Sequence, residues 1–385
     1  MKKIAYLPVL IAFLILVTIS SACSNQIDAE FSETSPTATP QLVERTDANN
    51  IVIGDLGRAL DEYFVRDHPL FSGAILVAKD GEIVLSKGYN FANWELKVPN
   101  TPQTKFRISS ISKPFTATLV MMLAEEGKID LQADLCSYLA DCPDQWQEIQ
   151  VEDLLNHTSG VPDYTVLPGA REDSRDPHNV SALIGLFRNE PLIFTPGDSF
   201  FYSHSNYVLL GAVIEQVSNR TYADYLNQEL IGPLQMEDSG VEMQAMILHD
   251  RASGYQIIGT VLVNAPYLDM SNAFATAGMY STVKDLFRFD QALYSDQLLN
   301  KESLDRMYSP HNAKDGTGGD YGFGWQLSEY LGHRKVEHQG GINGFHTSFS
   351  RYIDDQATII LLSNIETEDT DSLVAGLEEI LFDQN

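Results

Sequence analysis

Phe106-Arg-Ile-Ser-Ser-Ile-Ser-Lys-Pro-Phe115 contains the tetrad Ser110-Ile-Ser-Lys113, which sets a hydroxyl and an amine one helical turn apart. The apolar residues that follow, Phe115, Leu119, Met122 and Leu123, recur at helical spacing, so residues three apart share a face and Lys113 can reach the Ser110 oxygen. That is a nucleophile beside a base. The spacing alone says little, because Ser-x-x-Lys is expected roughly once by chance in a chain of this length. A second copy, Ser281-Thr-Val-Lys284, runs on into Asp-Leu-Phe and reads as a helix start with Ser281 as N-cap. The surrounding sequence has to separate the two.

Upstream of the tetrad, Leu56, Leu60, Tyr63 and Phe64 predict an amphipathic helix from Asp55. Gly73 to Ser86 then predicts a hairpin turned at Asp80-Gly81. Downstream, the chain becomes helical and loop-rich. Short strands return around Val336–Gln339, Phe345–Arg351 and Ala357–Ser363, with Asp354-Asp355 as a turn, and a last helix carries Leu373, Leu377, Ile380 and Leu381. Strands near both ends with helices between predict an α/β (α+β) domain, with its α/β part at about 51–125 and 275–385 and a helical insertion at about 126–274. No internal repeat is visible.

The chain has 385 residues, enough for one or two domains with a large core. Met1-Lys-Lys, the apolar run Ile4 to Ile19 and Ser20-Ser-Ala-Cys23 read as a signal peptide over 1–22. An uncleaved anchor is the alternative, although 16 apolar residues are few for a span. Residues 23–50, with Ser35-Pro-Thr-Ala-Thr-Pro40, have the composition of a disordered tether. Either reading places the remainder outside the cytoplasm, where Cys136 and Cys142 could close a small loop; two free buried thiols are equally open. Without Lys2 and Lys3 the chain holds 23 basic and 53 acidic residues, 23 − 53 = −30, which argues against a nucleic-acid partner. No Gly-x-Ser-x-Gly elbow, His-Glu-x-x-His or zinc-spaced histidine pair occurs, so neither an α/β-hydrolase triad, a metal site nor any other cofactor is expected.

Around the tetrad lie Leu154-Leu-Asn-His-Thr-Ser-Gly-Val-Pro-Asp-Tyr164, Phe194-Thr-Pro-Gly197, Tyr202-Ser-His-Ser-Asn-Tyr-Val-Leu-Leu-Gly211, Pro233-Leu-Gln-Met236, Tyr321-Gly-Phe-Gly-Trp325 and His338-Gln-Gly-Gly-Ile-Asn-Gly-Phe345. In this order they resemble the serine β-lactamase and penicillin-binding protein superfamily, in the branch of class C β-lactamases, D-alanyl-D-alanine carboxypeptidases and esterases. The resemblance spans about residues 55–385. It implies a β-lactamase/transpeptidase-like fold, an antiparallel sheet flanked by N- and C-terminal helices with a helical insertion domain. It also makes Cys23 the lipidation site of an exported bacterial lipoprotein, although Ser20 stands where an aliphatic residue is usual. The membrane through that anchor, and a small-molecule or peptide substrate such as a cell-wall peptide, are then the partners.

The same resemblance assigns roles to individual residues. Ser110 and Lys113 match the nucleophile and its lysine. Tyr202-Ser203-His204 matches Tyr-x-Asn, with Tyr202 as proton shuttle and His204 in place of the asparagine, where it could donate to a substrate amide oxygen or contact Lys113. His338-Gln339-Gly340 matches the third motif, with His338 turned to the substrate's carboxylate or carbonyl side. Gly340 and Gly341 shape the oxyanion hole, whose two N–H donors are those of Ser110 and Gly341.

The chemistry needs such a set. A serine hydroxyl attacks a carbonyl only if a group takes its proton, and Lys113 can do so only when neutral, which burial and a nearby cation favour. Plainer readings exist for each part alone: a Ser–Lys pair is usually a solvated helix face, Tyr202 a core aromatic, and single histidines structural. Tyr225-Leu-Asn227, a literal Tyr-x-Asn, sits in an amphipathic helix, and His157 reads as shaping a helix end and loop. The 170–189 segment, with Arg171, Arg175 and Arg188, either borders the cleft or is a solvated loop and helix. Two functions follow, an acyl-enzyme hydrolase and a non-catalytic surface binder that keeps the fold.

Overall fold

A computed structural model describes residues 50–170 and 174–382. Cys23, the leader, the tether up to residue 49 and Arg171 lie outside the described residues. The architecture is mixed α/β around a seven-stranded sheet built from β1 (Ile51–Val52), β2 (Gly73–Lys79), β3 (Glu82–Tyr89), β4 (Gln326–Tyr330), β5 (His333–Ile342), β6 (Phe345–Tyr352) and β7 (Ala357–Ser363). Its order is β1-β3-β2-β7-β6-β5-β4, with every neighbouring pair antiparallel. The β2–β3 hairpin turns at Asp80 and Gly81, with φ of 53° and 75°. Two successive left-handed residues are what a two-residue turn needs to match strand twist.

Both faces of the sheet are covered. Ile75 and Val77 of β2 pack with Leu60, Phe64, Leu373 and Leu377 from two helices, α1 (Gly54–Glu62) with its π-helical extension and, at the other end of the chain, α4 (Thr370–Phe382). Ala74, Leu76 and Ala78 point the other way, into the large core beneath α2 (Ser112–Glu125). Successive side chains alternate between faces. With both faces buried, alternation of polar and apolar residues disappears, and all seven residues of β7 are buried.

Helix α2 runs through the middle of this core, and its residues 112–121 are all buried. It packs against α3 (His204–Ser218). A helix apolar on every side is a buried helix, so the stripe read from Phe115 and Leu119 understates its enclosure. The middle of the chain also contains a hairpin, Tyr255–Ile258 with Val261–Asn264, absent from the helical reading of this region. Its strands lack period-two alternation, and Ile257, Ile258 and Val261 are exposed rather than packed on one face. Cys136 and Cys142 are joined, with Cα atoms 5.3 Å apart. Ser281 ends the short strand Met279–Ser281, and the N-cap of the next helix is Thr282, one residue later than expected. Among the described residues no helix is long and apolar enough to cross a membrane.

Candidate active site

The turn Ser109–Ile111 leads into α2 and carries Ser110, while the first turn of α2 carries Lys113. Ser109 adopts a left-handed φ of 50° and donates its hydroxyl to the Gly341 carbonyl oxygen at 2.7 Å, tying the turn to β5. Backbone strain of this kind in a non-glycine residue is held only where the surroundings fix it. Gly340 makes the approach possible: an added Cβ would lie 2.3 Å from the Ile108 carbonyl oxygen.

Lys113 is fully buried and donates to Ser110 Oγ and to the Thr276 carbonyl oxygen, each at 3.2 Å. Burial disfavours the charged amine and lowers its pKa to about 7, against the opposing pull of Asp163. Its Nζ lies 4.8 Å from the centroid of the Tyr202 ring. Burial pushes the Tyr202 phenol above its ordinary range, an effect that the Ser110 hydroxyl partly offsets. Tyr202 in turn packs on His157, ring centroids 4.4 Å apart. His157 does shape a loop, with φ of 63°, and it also ties that loop to Tyr202: its Nδ1 accepts from the Ser203 N–H at 3.2 Å and from Asn206 Nδ2 at 3.0 Å.

The other two histidines are engaged differently from expectation. His204 Nδ1 lies 2.8 Å from Asp163 Oδ2. Burial alone would raise the Asp163 carboxyl, but hydrogen bonds from His204 and Thr165 hold it at about 2. Asp163 is therefore an acceptor and Nδ1 of His204 bears the proton. Burial and the Lys113 charge lower the pKa of His204, so its neutral ring is left with Nε2 as a lone pair. Of the two roles expected of it, donating to a substrate amide oxygen or contacting Lys113, the first would need an N–H that this ring gives to Asp163. His338 donates Nδ1–H to the Gln339 carbonyl oxygen at 2.6 Å, while its Nε2 accepts from the Tyr321 hydroxyl at 3.1 Å. Burial drives its pKa to about 3. Neutral, 2% exposed and bonded at both nitrogens, His338 lines the wall of the Ser110 cavity with both ring nitrogens already partnered within the protein.

Gly341 faces open space, with His346 Cδ2 at 3.9 Å the nearest atom to an added Cβ. Because β4 pairs with β5 only up to Glu337, residues 338–342 keep a free edge beside Ser110. Two cavities meet there. One, of 570 Å³, is lined by Ser110, Tyr202 and His338; the other, of 430 Å³, is lined by Tyr164, Leu186, Tyr267 and Ile342. His204 and Gly341 border both. Among the described residues no group of three His, Cys, Asp or Glu side chains is placed to hold a metal ion.

The structure thus brings Ser110, Lys113, Tyr202, His204, His338, Gly340 and Gly341 to one cleft. Residues 58–381 match the Beta-lactamase family. The chain belongs to that family. Penicillin-binding protein 4* of Bacillus subtilis is 33% identical over 332 residues, 82% of this chain and 73% of that protein. The D-aminopeptidase of Brucella anthropi is 30% identical over 83% of this chain but only 60% of its own length, so the chain spans less than two thirds of that relative. Among solved structures, a penicillin binding protein from Bacillus halodurans superposes with a TM-score of 0.74 at 25% identity, over 86% of this chain and all of that one. Within this Beta-lactamase frame, Asp163, Tyr321 and Thr276 were not foreseen as site residues. Asp163 and Tyr321 lie inside motifs the sequence displayed, but their partners stand 41 and 17 residues away.

Proposed function

We propose that the chain is a serine hydrolase that acts through an acyl-enzyme on Ser110, on amide, ester or β-lactam carbonyls, in the manner of carboxypeptidases, β-lactamases and esterases. The observation that carries this is Lys113: a fully buried amine, 3.2 Å from the Ser110 oxygen, with a pKa near 7. Near neutral pH part of the population holds a neutral amine in hydrogen-bond reach of the hydroxyl, which is what a general base requires. Tyr202, pushed upward, stays a phenol and relays rather than originates the deprotonation.

In the acylation step Ser110 Oγ bonds to the substrate carbonyl carbon and its proton passes to Lys113. The backbone N–H groups of Ser110 and Gly341 hold the developing oxyanion. The bond to the departing alcohol or amine breaks as Tyr202 supplies a proton and is reprotonated from Lys113. Water then repeats the sequence on the acyl-Ser110 ester. Intact-mass measurement after exposure to a fluorophosphonate, a penicillin or a nitrophenyl ester is the direct test. A covalent adduct on Ser110 is expected; an unmodified protein whose Ser110→Ala variant hydrolyses the ester equally well would end this reading. It would leave the non-catalytic binder, which offers no reason for a deprotonatable amine against a hydroxyl. The lipid anchor at Cys23 rests on the leader sequence and calls for fatty-acid labelling that is lost in Cys23→Ala.

A further inference from the structure

The two cavities bear unequal charge, and the proton path distinguishes their roles. A residue that protonates the departing atom must face it. Tyr202 and Ser110 line the 570 Å³ cavity and neither lines the 430 Å³ one, so the departing group occupies the former and the acyl group the latter. Asp320 and Glu337 line the departing-group cavity, and Gln339 on its wall is bonded to Asp371. No lysine or arginine lines it among the described residues. Lys335, the cation nearest in sequence, is shared between Glu337 and Glu378, 3.0 Å from each. The arginine bordering the cleft, Arg175, belongs to the acyl cavity, with Glu366.

Of the three imidazoles lining the departing-group cavity, burial and the Lys113 charge lower the pKa of His338 and His204, which therefore add no charge. His338 is bonded at both nitrogens. His204 spends its Nδ1–H on Asp163, which leaves Nε2 of its neutral ring as a lone pair, and His346 holds Nδ1 at 2.6 Å from the Glu368 carbonyl oxygen. This wall accepts hydrogen bonds and repels anions. A penicillin, a cephalosporin and a D-alanyl-D-alanine peptide each carry a carboxylate on the carbon next to the departing nitrogen. That group would be brought to a cavity whose lining holds, among the described residues, two carboxylates and no lysine or arginine, in a chain of net charge −28.

We propose that this site acts on esters and amides whose departing alcohol or amine is neutral or cationic, and discriminates against those whose departing group carries a carboxylate. This rests on the acyl-enzyme reading above. It narrows that reading to esterase and amidase chemistry.

Three phenylacetyl esters test it on the full chain: those of glycolic acid, glycolamide and choline. They share one acyl group, hence one acyl-enzyme and one deacylation step, and differ in the charge of the departing alcohol. With each kcat/KM divided by the ester's hydroxide-catalysed rate, the glycolamide ester should exceed the glycolate by at least tenfold, and the choline ester should equal or exceed the glycolamide. The gap should shrink as salt is raised and should narrow severalfold in Asp320→Lys and in Glu337→Gln. A glycolate ester turned over as fast as the glycolamide, or a gap unmoved by salt and by both variants, would overturn the proposal. Fluorophosphonate labelling of Ser110 separates the two failures: labelling without discrimination sinks this inference alone, whereas no labelling and no turnover of any ester sinks the acyl-enzyme reading with it.

Discussion

The chain writes Ser-x-x-Lys twice and builds two unrelated things from it. At Ser110 and Lys113 both residues are buried, bonded to each other, and backed by Tyr202 and His157. At Ser281 the hydroxyl is equally buried but shares a hydrogen bond with Ser239 Oγ at 2.8 Å, while Lys284 points into solvent. Spacing is the same; enclosure is not. An amine becomes a base only where removal from water costs its charge more than its neutral form, and only one copy lies inside a helix buried on all sides.

The comparison breaks first, and by the largest margin, at the two serines. Ser110→Ala should lower kcat/KM toward an activated ester by at least about 10³-fold. Ser281→Ala should keep activity within about twofold and cost about 1 kcal/mol in urea unfolding, through the lost buried hydrogen bond. Equal activity loss in both would mean that neither hydroxyl is the nucleophile.

The lysines come next. Lys113→Met should cut activity by about 10²–10⁴-fold and yet raise the unfolding temperature, since it removes a buried amine that has no carboxylate within ion-pair distance among the described residues. Lys284→Met should change stability by less than about 0.5 kcal/mol and leave activity alone. Calorimetry beside an ester assay decides both. A Lys113→Met variant that melts below the parent would argue that the amine is a structural tie rather than a base.

A smaller effect, but a sharper one, is the pH profile. Activity needs neutral Lys113, so kcat/KM should rise through an acid limb near pH 7 and level off above it. The folded pKa is below the unfolded 10.5, so between about pH 7 and 10.5 the unfolded chain binds the extra proton and stability attributable to Lys113 increases with pH. An acid limb unchanged in a slow but measurable Lys113→Arg variant would assign it elsewhere. A last effect, on stability alone, is at Thr282, the true cap within the second copy, whose side chain accepts from the Asp285 N–H at 3.2 Å. Thr282→Ala should cost about 1 kcal/mol in the same unfolding assay.

What could be read in advance depended on how far apart the interacting residues stand. The Asp80-Gly81 hairpin and the α1 stripe are short-range patterns and were legible. So was the ordered motif set that brought Ser110, Tyr202 and His338 to one cleft. The state of each side chain was not, because it depends on partners that no local pattern names: Asp163 fixes the His204 tautomer from 41 residues away, and Tyr321, 17 residues away, occupies Nε2 of His338. The hairpin at 255–264 escaped for the opposite reason, since Ile257, Ile258 and Val261 are exposed and leave no alternating buried face to read.

The sheet order has a temporal consequence. β2, near the start of the domain, pairs with β7, near its end, and the Ser363 hydroxyl reaches the Ser72 carbonyl oxygen across 291 residues of sequence. Closing so long a loop is entropically costly and slow, and on a ribosome it cannot begin until the residues of β7 have emerged. The first strands must wait, unpaired on one side, for the last one. The β5 edge beside Ser110 is built from those late strands, so the pair at Ser110 and Lys113, synthesised early, meets that edge only after some 230 further residues have been made.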